Sequence, residues 1–269
     1  MPKIAINGRQ LHYQMAGSGP ETILFSHGYL MSHRMFAAQI AALSQTYRVI
    51  AYDHRGHGES DACLTPFGIY DLVDDAAGLI DALCDGPAHF VGMSTGGYVG
   101  MRLLLKRPEL INSLILIDTG AGAEDPASLK QYNQLLFFVR LLGIRPLLGK
   151  VLPLLMGPTF RTDPDRQIEF QSWKAYIGGL NKTSVRHFGR AVFDRDDVMD
   201  KLHALTKPPA TLIMVGAEDI PTPPADAQTM HQAINGSQLV QVPDAGHTSP
   251  LEQPGFVSDA ITAFLKSLE

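Results

Sequence analysis

A serine with a glycine two positions away on either side, Gly92-Met93-Ser94-Thr95-Gly96, is the strongest local chemical signal in the chain. A serine hydroxyl is a weak nucleophile until it is presented to a substrate and paired with a base. The G-x-S-x-G spacing serves presentation. A nucleophile on a sharp turn between a strand and a helix presses together the residues two before and two after it, and glycine relieves that crowding because it has no Cβ. The apolar run Ala88-His-Phe-Val91 offers a strand before the turn, and the stretch from Ser94 to Lys106 offers an amphipathic helix after it. Without those neighbours the five residues would read as an ordinary Gly-rich turn, so the flanking elements carry the inference.

The base is sought among ten histidines. His247 sits in a short polar loop, Asp244-Ala-Gly-His-Thr-Ser-Pro250, after a late strand and before the last helix, where glycine and proline suit a loop that holds a side chain at the edge of a sheet. Asp219, in Gly216-Ala-Glu-Asp-Ile-Pro221, follows the apolar run 210–215 and is the candidate to orient the imidazole. Glu218, Asp118 and Asp244 compete for that role, Asp118 foremost because it ends a core strand; a carboxylate at a strand end can equally cap a helix or turn. Ser94, Asp219 and His247 each lie just past the carboxyl end of an expected strand, where open α/β sheets bind ligands. An oxyanion hole would come from the backbone N–H groups of Thr95 and Tyr29, with Gly28 letting the chain approach the substrate oxygen. His54 and His57 flank Arg55 with no further ligands arranged nearby, so no metal site is expected.

These positions need a scaffold. Strands are expected at 22–26, 48–52, 88–91, 113–117, 210–215 and 238–242, alternating with helical stretches at 35–43, 70–83, 94–106, 222–234 and 255–268. That alternation implies βαβ units and an α/β fold with a mostly parallel central β-sheet flanked by helices. The rhythm breaks near residue 121. Residues 122–200 hold no convincing buried strand, only Leu-rich and aromatic helical pieces among Pro126, Pro146, Pro153, Pro158 and Pro164. The expected organisation is a core domain of residues 1–121 and 201–269 interrupted by a helical cap over 122–200, a segment too long and apolar for a plain loop.

Composition narrows the function. Apolar residues are 45% and charged residues 18% of the chain, ordinary globular values. A net charge of −5 without a Lys/Arg cluster argues against a nucleic-acid partner. Cys63 and Cys84 form neither a C-x-x-C nor a zinc spacing, which favours free thiols in a reducing compartment. The N-terminal residues carry no signal-peptide pattern and no run is long enough to span a membrane, so a cytoplasmic location is expected. No dinucleotide or phosphate-loop motif is present, and no cofactor is expected.

The chain resembles the α/β-hydrolase superfamily over essentially its whole length. The residues that carry the resemblance are His27-Gly28, Asp53-His-Arg-Gly-His-Gly-Glu-Ser60, Gly92-Met-Ser-Thr-Gly-Gly97, Gly216-Ala-Glu-Asp219 and Gly246-His247. The chain order nucleophile, acid, base is that superfamily's order. Within it the chain is similar to the serine esterase and 3-oxoadipate enol-lactonase-like group; a dehalogenase of the fold would carry aspartate where Ser94 stands. The resemblance implies that segment 53–60, with Asp53 and Arg55, is structural and that 122–200 covers the site. The expected reaction is hydrolysis of a carboxylic ester or lactone through a Ser-His-Asp triad and an acyl-enzyme. The same triad would serve perhydrolysis, cleavage of a carbon–carbon bond in a diketone, or a small-molecule receptor with slow turnover. Apolar residues from Leu135 to Met156, with Trp173 and Tyr176, could pack internally, line an acyl or aromatic pocket, or form a homodimer or membrane-surface patch.

Overall fold

The six β-branched and Leu-rich runs become neighbouring strands of one eight-stranded sheet in a computed structural model that describes residues 2–268. They are β3 (Thr22–Ser26), β4 (Arg48–Tyr52), β5 (Ala88–Met93), β6 (Ile111–Ile117), β7 (Ala210–Gly216) and β8 (Gln238–Val242). Two strands absent from the sequence reading, β1 (Lys3–Ile6) and β2 (Arg9–Ala16), form a hairpin at one edge. Its turn is Asn7-Gly8, both with positive φ, the pairing that two-residue hairpin turns favour. The order is β1-β2-β4-β3-β5-β6-β7-β8. β2 runs antiparallel to β1 and β4, and every other pairing is parallel.

Side chains alternate across the strands. Ile23, Phe25, Val91, Met93, Ile115 and Ile117 join one cluster with Ile40 of α1 (Ala37–Leu43) and Ile261 and Phe264 of α12 (Pro254–Lys266). Leu24, Phe90, Leu114 and Leu116 join the other with Leu72 and Val73 of α2 (Ile69–Leu83) and Val99 and Leu103 of α3 (Thr95–Lys106). Both faces are covered, which is why these strands read as continuous apolar runs.

Between β6 and β7 the described residues form helices only: α4 (Pro126–Leu142), α5 (Leu148–Leu155), α6 (Pro158–Thr162), α7 (Gln167–Gly178), α8 (Lys182–Phe193) and α9 (Met199–His203), with short 3₁₀ turns. Pro126 and Pro158 sit in first turns, where the missing N–H costs nothing, so these prolines start helices. Asp125 and Asn181 accept the first backbone N–H groups of α4 and α8. After β7 come α10 (Pro224–Ala233) and α11 (Ser249–Glu252). β3 has β4 on one side and β5 on the other. The connections therefore leave in opposite directions, and a crevice opens beyond the carboxyl ends of β3 and β5.

Candidate active site

Ser94 is the whole turn between β5 and α3. Its φ of 51° and ψ of −112° lie outside the regions an L-residue ordinarily adopts, so the surrounding structure must hold it there. A Cβ on Gly92 would fall on the carbonyl oxygen of Gly96, and one on Gly96 would fall on that of Ser26. This is the crowding that the glycine spacing anticipates. The turn is pinned to β6: Ser94 donates its N–H to Ile117 O at 2.8 Å, and Thr119 Oγ1 donates to Ser94 O at 2.8 Å.

The loop after β8 brings His247 Nε2 to 2.8 Å from Ser94 Oγ. Its Nδ1 lies 3.0 and 2.9 Å from the two oxygens of Asp219. A carboxylate only accepts, so Nδ1 carries the proton and Nε2 is left to accept from the serine. Ser94, Asp219 and His247 are all buried. Burial disfavours the imidazolium, but the charge and hydrogen bond of Asp219 outweigh it, with Asp118 and Glu252 adding to the effect, and the His247 pKa is raised above its ordinary 6.5. Thr222, unforeseen in the sequence, orients the carboxylate: its N–H donates to Asp219 Oδ1 at 3.1 Å and its hydroxyl to Oδ2 at 2.9 Å.

The competing acids lie elsewhere. Asp118 accepts N–H bonds from Gly216 at 2.9 Å and Ser249 at 2.8 Å, tying the end of β7 to the loop that carries His247. Burial, then the nearby charge of Asp219, raises its pKa. Glu218 turns toward α6 and accepts from Thr159. Asp244 is exposed in a turn with φ 52°. A further carboxylate, Glu252, escaped the sequence reading. It accepts from Gly246 N, Thr248 N and Thr248 Oγ1 in the His247 loop, and from Gly157 N before α6. Its position in a Ser-Pro-Leu-Glu turn gave no sign of that.

Gly28 and Tyr29 follow β3 directly across the crevice. A Cβ on Gly28 would lie 2.5 Å from Met93 Sδ and 3.1 Å from Ser94 Cβ, so the chain passes close against the serine. The next residue, Leu30, has φ 66°. Buried histidines hold this loop. His57 Nε2 accepts from Leu30 N at 3.1 Å; His27 Nδ1 donates to Gly28 O at 2.7 Å while its Nε2 accepts from His54 N at 3.0 Å. Burial lowers His27 to about 4 and His57 to about 3, consistent with their accepting as neutral rings. Thr95 opens α3, where first-turn N–H groups lack intrahelical acceptors.

Asp53 anchors the same region from below, accepting from His33 N, His33 Nδ1, His12 Nδ1 and Glu59 N at 2.8–3.0 Å. His12, His33 and Asp53 also form the one metal-capable grouping among the described residues, their ligand-type atoms within 4.8 Å of one another. Here both imidazoles donate through Nδ1 to the carboxylate, and His12 Nε2 is buried without a hydrogen-bond partner among the described residues. Arg55 pairs with Asp75 through two contacts of 2.7 Å.

Ser94 and His247 open into a cavity of about 100 Å³. Tyr29, Tyr98 and Pro221 line it from the sheet side, and Tyr132, Leu136 and Val139 of α4 and Val151 and Leu155 of α5 line it from the other. An imidazole hydrogen-bonded to a buried serine, beside an apolar cavity, can take the serine proton as the oxygen attacks an electrophilic carbon.

A family model described as alpha/beta hydrolase fold matches residues 21–254. The chain is 30% identical to 3-oxoadipate enol-lactonase 1 of Acinetobacter baylyi, over 97% of this chain and 95% of that one. Among solved structures, it is similar to the enol-lactonase from Burkholderia xenovorans LB400, with a TM-score of 0.90, 28% identity and coverage of 98% and 100% of the two chains. It is equally similar to a thermophilic esterase from Thermogutta terrifontis, with a TM-score of 0.90, 31% identity and coverage of 99% and 98%.

Proposed function

The chain belongs to the alpha/beta hydrolase fold family, and on that premise we propose that it hydrolyses carboxylic esters or lactones with Ser94 as nucleophile, His247 as base and Asp219 as the orienting acid. The observation that carries this reading is the 2.8 Å contact between His247 Nε2 and the Oγ of a serine held at positive φ. His247 takes the Ser94 proton as Oγ bonds to the carbonyl carbon. The backbone N–H groups of Tyr29 and Thr95 receive the oxyanion. The tetrahedral intermediate collapses, the C–O bond to the alcohol breaks, and His247 protonates the departing oxygen. Water, deprotonated by His247, then releases the acid and restores Ser94. The imidazole cycles between neutral and cationic forms, and Asp219 stabilises the cation. The names of the relatives, enol-lactonase and esterase, agree with cleavage of an ester C–O bond.

The test pairs turnover with labelling. Short p-nitrophenyl esters and simple ring lactones should be hydrolysed, and a fluorophosphonate should stop turnover while adding its phosphonyl mass to the peptide that holds Ser94. Label on another residue, or no hydrolysis of any ester or lactone, would overturn the reading.

A further inference from the structure

The cavity beside Ser94 holds an acidic side chain for which acyl transfer has no use. Glu124, in the loop between β6 and α4, lines it together with Ser94, His247, Tyr98 and Tyr132. Its side chain is 14% exposed and pairs at 2.9 Å with Arg195, which is 6% exposed. Arg195 does not line the cavity; it lines the adjoining cleft with Thr222, Asp226 and Glu124 itself, which borders both spaces. Its guanidinium also donates to Gly122 O and Val192 O, both at 3.1 Å, and lies 4.0 Å over the ring of Tyr98. Among the described residues lining the cavity there is no lysine or arginine. Of the pair, the carboxylate partner borders the cavity and the guanidinium partner does not.

A substrate carboxylate entering this space would give up its water for the hydrocarbon of Leu136, Val139, Val151 and Leu155. It would meet the carboxylate of Glu124, and it would find the guanidinium on that side already paired. Asp219 and Asp226 add to the negative charge: burial, then Asp219, and also Glu124, hold the Asp226 carboxyl above its ordinary value. The wall is aliphatic along Leu136, Val139, Val151 and Leu155, so an uncharged hydrocarbon chain suits it.

We propose that Glu124 is a specificity-determining residue that restricts this site to uncharged substrates. It supplies from within the chain the anion that a substrate's own carboxylate would otherwise offer to Arg195. Esters or lactones whose acyl part is apolar and neutral are accepted, and those with a terminal carboxylate are refused. This rests on the reading of Ser94 as the reacting group. Replacing Glu124 by glutamine would leave Arg195 buried without its counter-charge. An anionic acyl chain would then restore the balance.

The experiment compares kcat/KM for p-nitrophenyl hexanoate with that for the matching monoester of adipic acid, whose acyl chain has the same length but ends in a carboxylate. The wild-type protein should favour the neutral ester by at least about tenfold, and Glu124→Gln should shrink that ratio by at least about fivefold, chiefly through KM of the anionic ester, since the contact is remote from the reacting carbonyl. Glu124→Asp, which keeps the charge, should keep most of the preference. A wild-type ratio near one, or a ratio that Glu124→Gln leaves in place, overturns the proposal. A parallel calorimetric titration needs no turnover: methyl pentyl ketone and the keto acid with a carboxylate in place of its terminal methyl are bound to Ser94→Ala, with and without Glu124→Gln. The ketone should bind more tightly than the keto acid, and Glu124→Gln should narrow the gap. If binding follows this order while neither ester is hydrolysed, the hydrolase reading fails and the selectivity stands. If both esters are hydrolysed and the order is absent, the selectivity alone fails.

Discussion

The sheet edge that carries Ser94, Asp219 and His247, and the helices that face it across the cavity, are built by different forces. On the sheet side the buried carboxylates have fixed partners. Asp219 is held by Thr222 and His247, Asp118 joins Gly216 to Ser249, and Glu252 takes four donors. Non-glycine residues at positive φ gather there too: Leu30, Ser94, Asp118 and Asp244. On the helical side the cavity wall is mostly aliphatic, and the outer surface of α4 leaves Phe137, Phe138, Leu141 and Leu142 about half exposed. Directional bonds fix atoms to a fraction of an ångström, as proton transfer demands. Aliphatic packing tolerates volume-conserving change. On the proposed reading, reaction and selectivity are separable in this molecule, and substitutions on the two sides should differ in kind.

The largest expected effect lies on the sheet side. Ser94→Ala should lower kcat for any ester hydrolysed by about a millionfold, the scale found when a triad serine is lost, while the circular dichroism spectrum and urea midpoint stay near wild type. More than a few per cent of wild-type rate in a clean preparation would remove Ser94 from the mechanism. A conservative change among the helical residues that cost as much would dissolve the distinction between the two sides.

Next comes a contrast within the sheet side. Asp219→Asn should cost about 10⁴ in kcat, because the amide can offer a donor where His247 Nδ1–H needs an acceptor. Asp118 accepts two backbone N–H bonds and touches no reacting atom, so Asp118→Asn should act mainly on stability. An amide placing its NH₂ toward one buried N–H leaves that donor unsatisfied, at a cost of about 1–3 kcal/mol. Urea unfolding and kcat measured on both variants separate the roles. A dead Asp118→Asn with an active Asp219→Asn would exchange them.

The pH profile sharpens the electrostatic half of the comparison. His247 must be neutral to accept the Ser94 proton, so activity is lost as pH falls through its pKa. That pKa is raised, because Asp219's charge and hydrogen bond exceed the effect of burial. The acidic limb of kcat/KM for a neutral ester should thus be centred above 6.5 and fall about tenfold per unit well below that centre. Asp219→Asn, measured on its residual activity, should move the limb downward. A wild-type limb centred below 6.5 would mean that burial wins.

The two sides were also unequally legible in the sequence. Strands β3 to β7 stood out because both sheet faces are covered, leaving short apolar runs bounded by Gly, Pro and Asp, whereas the edge strand β8 showed as an alternation of Gln with Leu and Val. Strands β1 and β2 mix exposed polar residues such as Lys3 and Gln10 into an edge hairpin, and only Asn7-Gly8 marked them. Ser94, Asp219 and His247 each sit in a punctuated turn after a strand, and the structure brings the three into contact. The supporting contacts were hidden because tertiary proximity creates them. Glu252 reaches Gly157, 95 positions away, and Tyr29 Oη donates to Val185 O across 156 positions. Local spacing cannot encode such pairs. Nor could it tell which leucines of the helical segment reach the cavity: Leu136 lines it and is buried, while Leu142 is 61% exposed.

The smallest expected effect tests the helical side on its own terms. Leu136 of α4 is 5% exposed, lines the cavity and has no ionisable or hydrogen-bonding side-chain group of its own. Leu136→Ala removes three carbons from the wall and should lengthen the space available to an acyl chain. Each further methylene buried there is worth about 0.8 kcal/mol, roughly a fourfold gain in kcat/KM. The optimum along a series of p-nitrophenyl acetate, butyrate, hexanoate and octanoate should therefore move to a longer chain, with kcat/KM for the short ester falling only a few-fold. The pH limb should stay in place, since His247 and Asp219 are untouched. The substitution also costs stability, about 2–5 kcal/mol for a buried leucine, so the series is run well below the unfolding temperature of the variant. An unchanged chain-length optimum would show that the acyl group lies elsewhere. A shifted pH limb would show that α4 reaches the imidazole, and the separation between reacting edge and selecting helices would fail.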